Sequence, residues 1–275
     1  MSVLAGQYEL FQRSIKRRPG TEVLCEYVFR PAAQLVVLAL RPLGIAPVAV
    51  VLVNAACGLA GAAAIARGNL VAAALLLQTK TVLDNADGQL ARVTGRISVL
   101  GRYLDSESDL LVNAAVLGAV GSVTRRPFLA LATFVVLTLV LSVDFDLERL
   151  YRRERGDVRD PAPPAPAGVA RALARVYAAV YGTQDRLIEG FVEWRLRRLG
   201  AGPAARLAYH DRTTLQILAN FGLSTQLAAL GLCLAVGRPQ IYCYVVLGCG
   251  ATIVPLFLRR EVLARRAGRL STTRR

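Results

Sequence analysis

The chain has 275 residues, 54% of them hydrophobic, and 34 Lys and Arg against 19 Asp and Glu give a formal charge of +15. Its apolar residues gather in runs of about 20, the length that crosses a bilayer, so a soluble nucleic-acid binder is excluded and the excess charge is read as topology and contact with anionic lipid. One His and five Cys, with no C-x-x-C spacing, leave little material for a zinc site, a haem site or a Ser-His-Asp triad, so any metal must be held by oxygen.

The N-terminal stretch lacks a cleavable-leader pattern, because its basic cluster Lys16, Arg17, Arg18 is followed by Pro19-Gly20 and polar residues before any long apolar run. From Tyr27 to Leu43 a shorter apolar stretch, broken by Arg30, Pro31, Arg41 and Pro42, predicts an interfacial helix whose arginines meet lipid headgroups. The rest reads as an all-α polytopic membrane protein of six transmembrane helices. The spans are Pro47 to Ala66, Leu70 to Gly88, Val99 to Val123, Phe128 to Leu147, Thr214 to Val236 and Gln240 to Leu258. This divides the chain into an N-terminal cytoplasmic and interfacial segment (1–46), four spans (47–147), a cytoplasmic insertion (148–212) and two final spans with a basic tail (213–275).

Within the insertion, Pro161 to Ala167 predicts an extended linker. Helical spacing from Val169 to Leu199, with Leu173, Val176, Tyr177, Val180 and Tyr181 on one side, predicts an amphipathic hairpin near the membrane. The five cysteines lie mostly in apolar runs and read as free thiols. Arginines crowd the N-terminus, the turn holding Arg92 and Arg96, the insertion and the tail, whereas the opposite side carries only Arg67, Arg125, Arg126 and Arg238. The positive-inside rule then places both termini and the turn between spans two and three in the cytoplasm.

Spans two and three are unusual in carrying acids. Asp84, Asp87, Gly88 and Ala91 share one helical stripe, and Gly101, Asp105 and Asp109 share another at four-residue spacing. The intervening Val93 to Leu100 contains Gly95 and can reverse the chain, making the two helices antiparallel neighbours with facing acidic stripes. Small residues at 88, 91 and 101 would let the backbones approach and leave room for a ligand. Each carboxylate costs roughly 2.5 to 3.5 kcal/mol at a helix centre and less near the interface. Salt bridges to Lys80, Arg92 and Arg102 could neutralise part of that charge. Divalent cations offset it better, and a hard all-oxygen site suits Mg²⁺ or Mn²⁺, two of which would clamp phosphoryl chemistry.

The pattern D-x2-D-G-x2-A-R-x8-G-x3-D-x3-D, filled by Asp84, Asp87, Gly88, Ala91, Arg92, Gly101, Asp105 and Asp109, resembles that of the CDP-alcohol phosphotransferases. The resemblance implies transfer of a substituted phosphoryl group, phosphatidyl when the donor is CDP-diacylglycerol, from a CDP-alcohol to the hydroxyl of a small polar alcohol. CMP is released, and the pathway is phospholipid biosynthesis. It further implies that Asp84, Asp87, Asp105 and Asp109 hold the metal, that Asp109 is the general base, and that Asp84, Gly88, Ala91, Arg92 and Gly101 line the nucleotide pocket. A homodimer is implied as well. Two alternatives remain beside this reading: a soluble donor such as CDP-inositol with a phosphorylated or lipid acceptor, and, from another class, a divalent-cation transporter.

One departure stands out. Family members commonly carry Pro-Asn and then Thr at the start of the first span, whereas this chain has Pro47-Val48 and Val51; Asn54, Cys57 and Gly58 lie about two turns further in. Asn54 is either a substitute there or a helix-packing polar residue, and Gly58 a packing contact. Lys80 either meets a substrate phosphate or pairs with Asp84, with pairing preferred. His210 is expected at the interface, Trp194 at the membrane surface, and Glu107 outside the metal site because it leaves the stripe of Asp105 and Asp109.

Overall fold

A computed structural model describes residues 11–12, 14–15, 18–157 and 168–272; the expected linker at 161–167, Lys16 and Arg17 lie outside the described residues. Among these residues the structure is all-α, without strands. A π-helical turn, Cys25–Phe29, leads into α1 (Arg30–Leu40), followed by α2 (Pro47–Ala66), α3 (Leu70–Thr94), α4 (Val99–Val123) and α5 (Pro127–Glu154). Beyond 168 come α6 (Val169–Arg198), α7 (Pro203–Tyr209), α8 (Arg212–Ala219), α9 (Leu223–Ala235) and α10 (Gln240–Thr272). Four stretches are long and apolar enough to cross a membrane: Pro47–Ala66, Pro127–Glu154, Pro203–Ala235 and Gln240–Leu270. Helices α3 and α4, of 25 residues each, have the length as well, but both carry the acidic residues.

The centre of the assembly is α2, whose Ala- and Gly-rich sequence lets two neighbours come close. A Cβ on Gly58 would lie 2.5 Å from Val112 of α4, and one on Gly61 3.0 Å from Leu77 of α3. Both motif helices therefore seat on α2, burying Ile65, Leu77, Val112 and Val116 in one apolar cluster. This corrects the expectation that α3 and α4 pack backbone to backbone: their principal neighbour is α2, and the space left between them is where the carboxylates meet. Gly101 likewise faces its own cap and α2, since a Cβ there would meet Ser98 Oγ at 2.9 Å and Val48 at 3.6 Å.

The turn joining the motif helices is read directly from its residues. Gly95 adopts φ +67 at the end of α3, a conformation glycine enters at no steric cost, and Ser98 caps α4 by accepting from the Gly101 amide at 2.9 Å. The second span thus continues past its expected end at Gly88, so Ala91 and Arg92 stay on the helix that carries Asp84 and Asp87.

Three further expectations are corrected. The span expected from Thr214 to Val236 is interrupted, with α8 ending at Ala219 and α9 starting at Leu223. Asn220–Gly222 is instead occupied by the N-terminal segment: Asn220 Nδ2 donates to the Thr21 carbonyl at 3.0 Å, and the Thr225 amide donates to Glu22 Oε1 at 2.7 Å. Second, the stretch expected to form an amphipathic hairpin is one continuous helix, Val169–Arg198. Helix α5 runs through to Glu154, and α6 lies against α4 and α5, with Tyr103 and Tyr177 ring centroids 5.6 Å apart and Ser142 donating to Gln184 at 2.6 Å. Third, His210 is buried and not interfacial, its Nδ1 lying 3.0 Å from the equally buried Arg260 guanidinium. The cysteines are free, as expected. Trp194 stays partly exposed between Arg195 and Arg198.

Candidate functional site

Asp84 comes from α3, and Asp105 and Asp109 from α4; one oxygen of each lies within 4.8 Å of the others. Helical spacing explains why: Asp105 and Asp109 stand one turn apart on the α4 face turned towards α3. Asp87 is buried on the same α3 stripe but falls outside this three-carboxylate group. Lys80, one turn before Asp84 and itself fully buried, donates to Asp84 Oδ1 at 3.0 Å and to Asp109 Oδ1 at 2.5 Å. It pairs with Asp84 as expected, and it also bridges the two helices. Asn54 of α2 donates to the same Asp84 oxygen at 2.9 Å, which brings it to the site although it stands about two turns beyond the place where the family commonly carries its Asn. Gly58 does not reach the site; it seats Val112. Glu107 remains outside the cluster.

The acids open onto a cavity of about 1120 Å³ between the helices and the N-terminal segment. Gly88 lies on its wall, and the Arg92 guanidinium folds back over it, Nη1 standing 3.3 Å from where a Cβ would be. Arg92 Nε donates to the Ser14 carbonyl. The facing wall is an alternating charge ladder that the sequence reading did not foresee. Arg18 pairs with Asp144 at 2.6 Å and Glu148 at 2.5 Å, and Arg152 pairs with Glu148 at 2.8 Å. The available signal was Asp144 and Glu148 at four-residue spacing just past an apolar run. Burial works against the Arg18 charge, but its two carboxylates outweigh that and hold the guanidinium above its ordinary range. On α6, which packs against α4 and α5, burial first, and then the charges of Asp109 and Glu107, push the Tyr181 hydroxyl above its usual range.

The donor set can be tested against a metal directly. Asp87 Oδ2 and Asp105 Oδ1 are buried without any hydrogen-bond partner, an arrangement costly for carboxylates unless a cation takes them up. Lys80 and Asn54 engage only the Oδ1 atoms of Asp84 and Asp109, so each carboxylate keeps an oxygen not bound by either donor. All-oxygen donors of this kind suit a hard divalent ion.

A helical membrane protein with an oxygen-only acidic cluster beside a large polar cavity is the class that fold and site define. The chain belongs to the CDP-alcohol phosphatidyltransferase family, whose model matches residues 44–195. The match runs from just before α2 through the motif and nearly to the end of α6, so it takes in much of the region 148–212 expected as an insertion. Membership makes the protein a CDP-alcohol phosphotransferase, of a family that uses divalent metals, acting on a CDP-alcohol donor and an alcohol acceptor, and it decides the class against a cation transporter. No curated protein matches the chain.

Proposed function

We propose that the protein transfers a phosphatidyl group from CDP-diacylglycerol to the hydroxyl of a small polar alcohol, releasing CMP. The observation that carries this reading is the convergence of Asp84, Asp105 and Asp109 from two helices on one cavity wall, within the motif of the matched family. Asp84, Asp87, Asp105 and Asp109 are the residues to hold Mg²⁺ or Mn²⁺, two ions in this reading, which when bound neutralise the donor pyrophosphate and the entering and leaving oxygens.

Asp109 is the general base. It accepts the proton of the acceptor hydroxyl as that oxygen bonds to phosphorus, while the bond from phosphorus to the CMP oxygen breaks and its electron pair leaves with CMP. Lys80 and Asn54 orient Asp109 and Asp84. Gly88 leaves space for the nucleotide and Arg92 contacts its phosphates after turning away from Ser14, whereas Ala91 and Gly101, expected in the nucleotide pocket, stand outside the cavity lining, Gly101 being turned to Ser98 and Val48.

In the membrane, α3 and α4 are the second and third of six spans, the interrupted Pro203–Ala235 run is the fifth, and α1 lies at the interface. The distribution of arginines supports cytoplasmic termini and a cytoplasmic site, the side on which CDP-activated donors are made. A homodimer in contact with lipid completes the proposal.

The test is to incubate the purified protein with Mn²⁺, CDP-diacylglycerol or CDP-inositol, and a panel of polar alcohols, and to measure CMP. CMP release with the lipid donor and a polar alcohol is expected, and D109N should remove turnover while the protein stays folded. Wild-type turnover in D109N refutes its role as base; turnover with CDP-inositol alone refutes the lipid donor.

A further inference from the structure

Lysine is rarely fully buried unless paired, and Lys80 is buried at a position outside the eight fixed residues of the motif. Its ammonium group has three hydrogens and no acceptor capacity, and two of them are directed to carboxylates on different helices, Asp84 at 3.0 Å and Asp109 at 2.5 Å. These contacts fall on the Oδ1 atoms, and Asn54 adds a second donor to the Asp84 one.

The physical problem being met is electrostatic. Asp84, Asp87, Asp105 and Asp109 crowd one wall of the cavity, with an oxygen of Asp87 and of Asp105 left unpartnered. Lys80 is the cation in direct contact with two of the four. Removing one partner from a buried ion pair leaves uncompensated charge and is strongly destabilising, whereas removing the surplus charge on the other side relieves it.

We propose that Lys80 is the resident counter-ion of the site: a positioning residue that holds Asp84 and Asp109 by one oxygen each and lets the carboxylate cluster stand before a divalent ion arrives. The assignment rests on the metal reading above, but it concerns the metal-free protein. It predicts that a divalent ion and the Lys80 charge act on the same acidic field, so that loss of Lys80 makes the fold dependent on metal.

The experiment uses the full chain in detergent, with unfolding followed by the fluorescence of its single Trp and free Mn²⁺ counted by electron paramagnetic resonance. In EDTA, K80Q should melt at least about 6 °C below wild type. Saturating Mn²⁺ should close most of that gap, and K80Q should bind Mn²⁺ at least about tenfold more tightly, because the repulsive charge is gone. The double variant K80Q/D109N should recover metal-free stability. A purely structural lysine would lower melting equally with and without Mn²⁺, and a Mn²⁺-induced shift in K80Q no larger than in wild type overturns the assignment. If K80Q does not fold at all, K80Q/D109N decides: folded in EDTA, it supports the counter-ion role, and unfolded, it refutes it. A wild type that binds no Mn²⁺ removes the metal reading itself, whatever Lys80 does.

Discussion

Gly58 offers a way to move Asp109, the proposed base, without touching it. The glycine lies on α2 against Val112, and Val112 stands three residues beyond Asp109 on α4, so the packing of one residue sets the position of the other. In G58A the new methyl would sit 2.5 and 2.8 Å from the two Val112 methyl carbons, where ordinary contact begins at 3.4 Å. Helix α4 must therefore retreat by about 0.9 Å, at a cost of about 1–3 kcal/mol for overpacking a tight interface. Displacing a reacting group by about 1 Å lowers turnover on the order of 100-fold. The expected result is a kcat for CMP release lowered about 10–100-fold, together with a lower melting temperature. Because the clash is specific, G58A/V112A should regain most of the lost turnover. A folded G58A protein with kcat within about twofold of wild type would refute the claim that α2 packing sets the carboxylate geometry.

Two further predictions rest on separate contacts. N54A removes a neutral donor from Asp84 Oδ1 and should weaken Mn²⁺ binding about tenfold, opposite in sign to the loss of Lys80, as read from free Mn²⁺ in the same resonance assay. Burial pushes the Glu22 carboxyl above its ordinary range, only partly opposed by its hydrogen bonds from Thr225, so wild type carries a penalty for the ionised form that is present above the folded pKa and relieved as pH falls through it. E22Q keeps an acceptor for Thr225 without the charge and should melt about 2–4 °C higher at neutral pH. That advantage should disappear on acidification, and an advantage independent of pH would count against the buried charge as its cause.

Helix identity, the apolar runs and the chemistry of the acidic motif were legible in the residues themselves. The bounds Pro47–Ala66 and Val99–Val123 follow from Pro at a first helical turn, from hydropathy and from the Ser98 cap, all of which act within a few residues. The exclusion of His and Cys metal chemistry needed only their scarcity, and a four-residue spacing of carboxylates places them on one face of a helix wherever that helix goes. What the motif helices pack against could not be read this way. The seating of both on α2, the break at Asn220–Gly222 filled by Glu22 and Thr21, and the ladder from Asp144 through Arg18 to Glu148 depend on partners from 16 to about 200 residues apart, and local periodicity carries no record of such pairings. Lys80 shows the division most clearly: its spacing already paired it with Asp84, but only the tertiary fold brings Asp109 to the same ammonium, because burial makes a second carboxylate the cheapest partner for its charge.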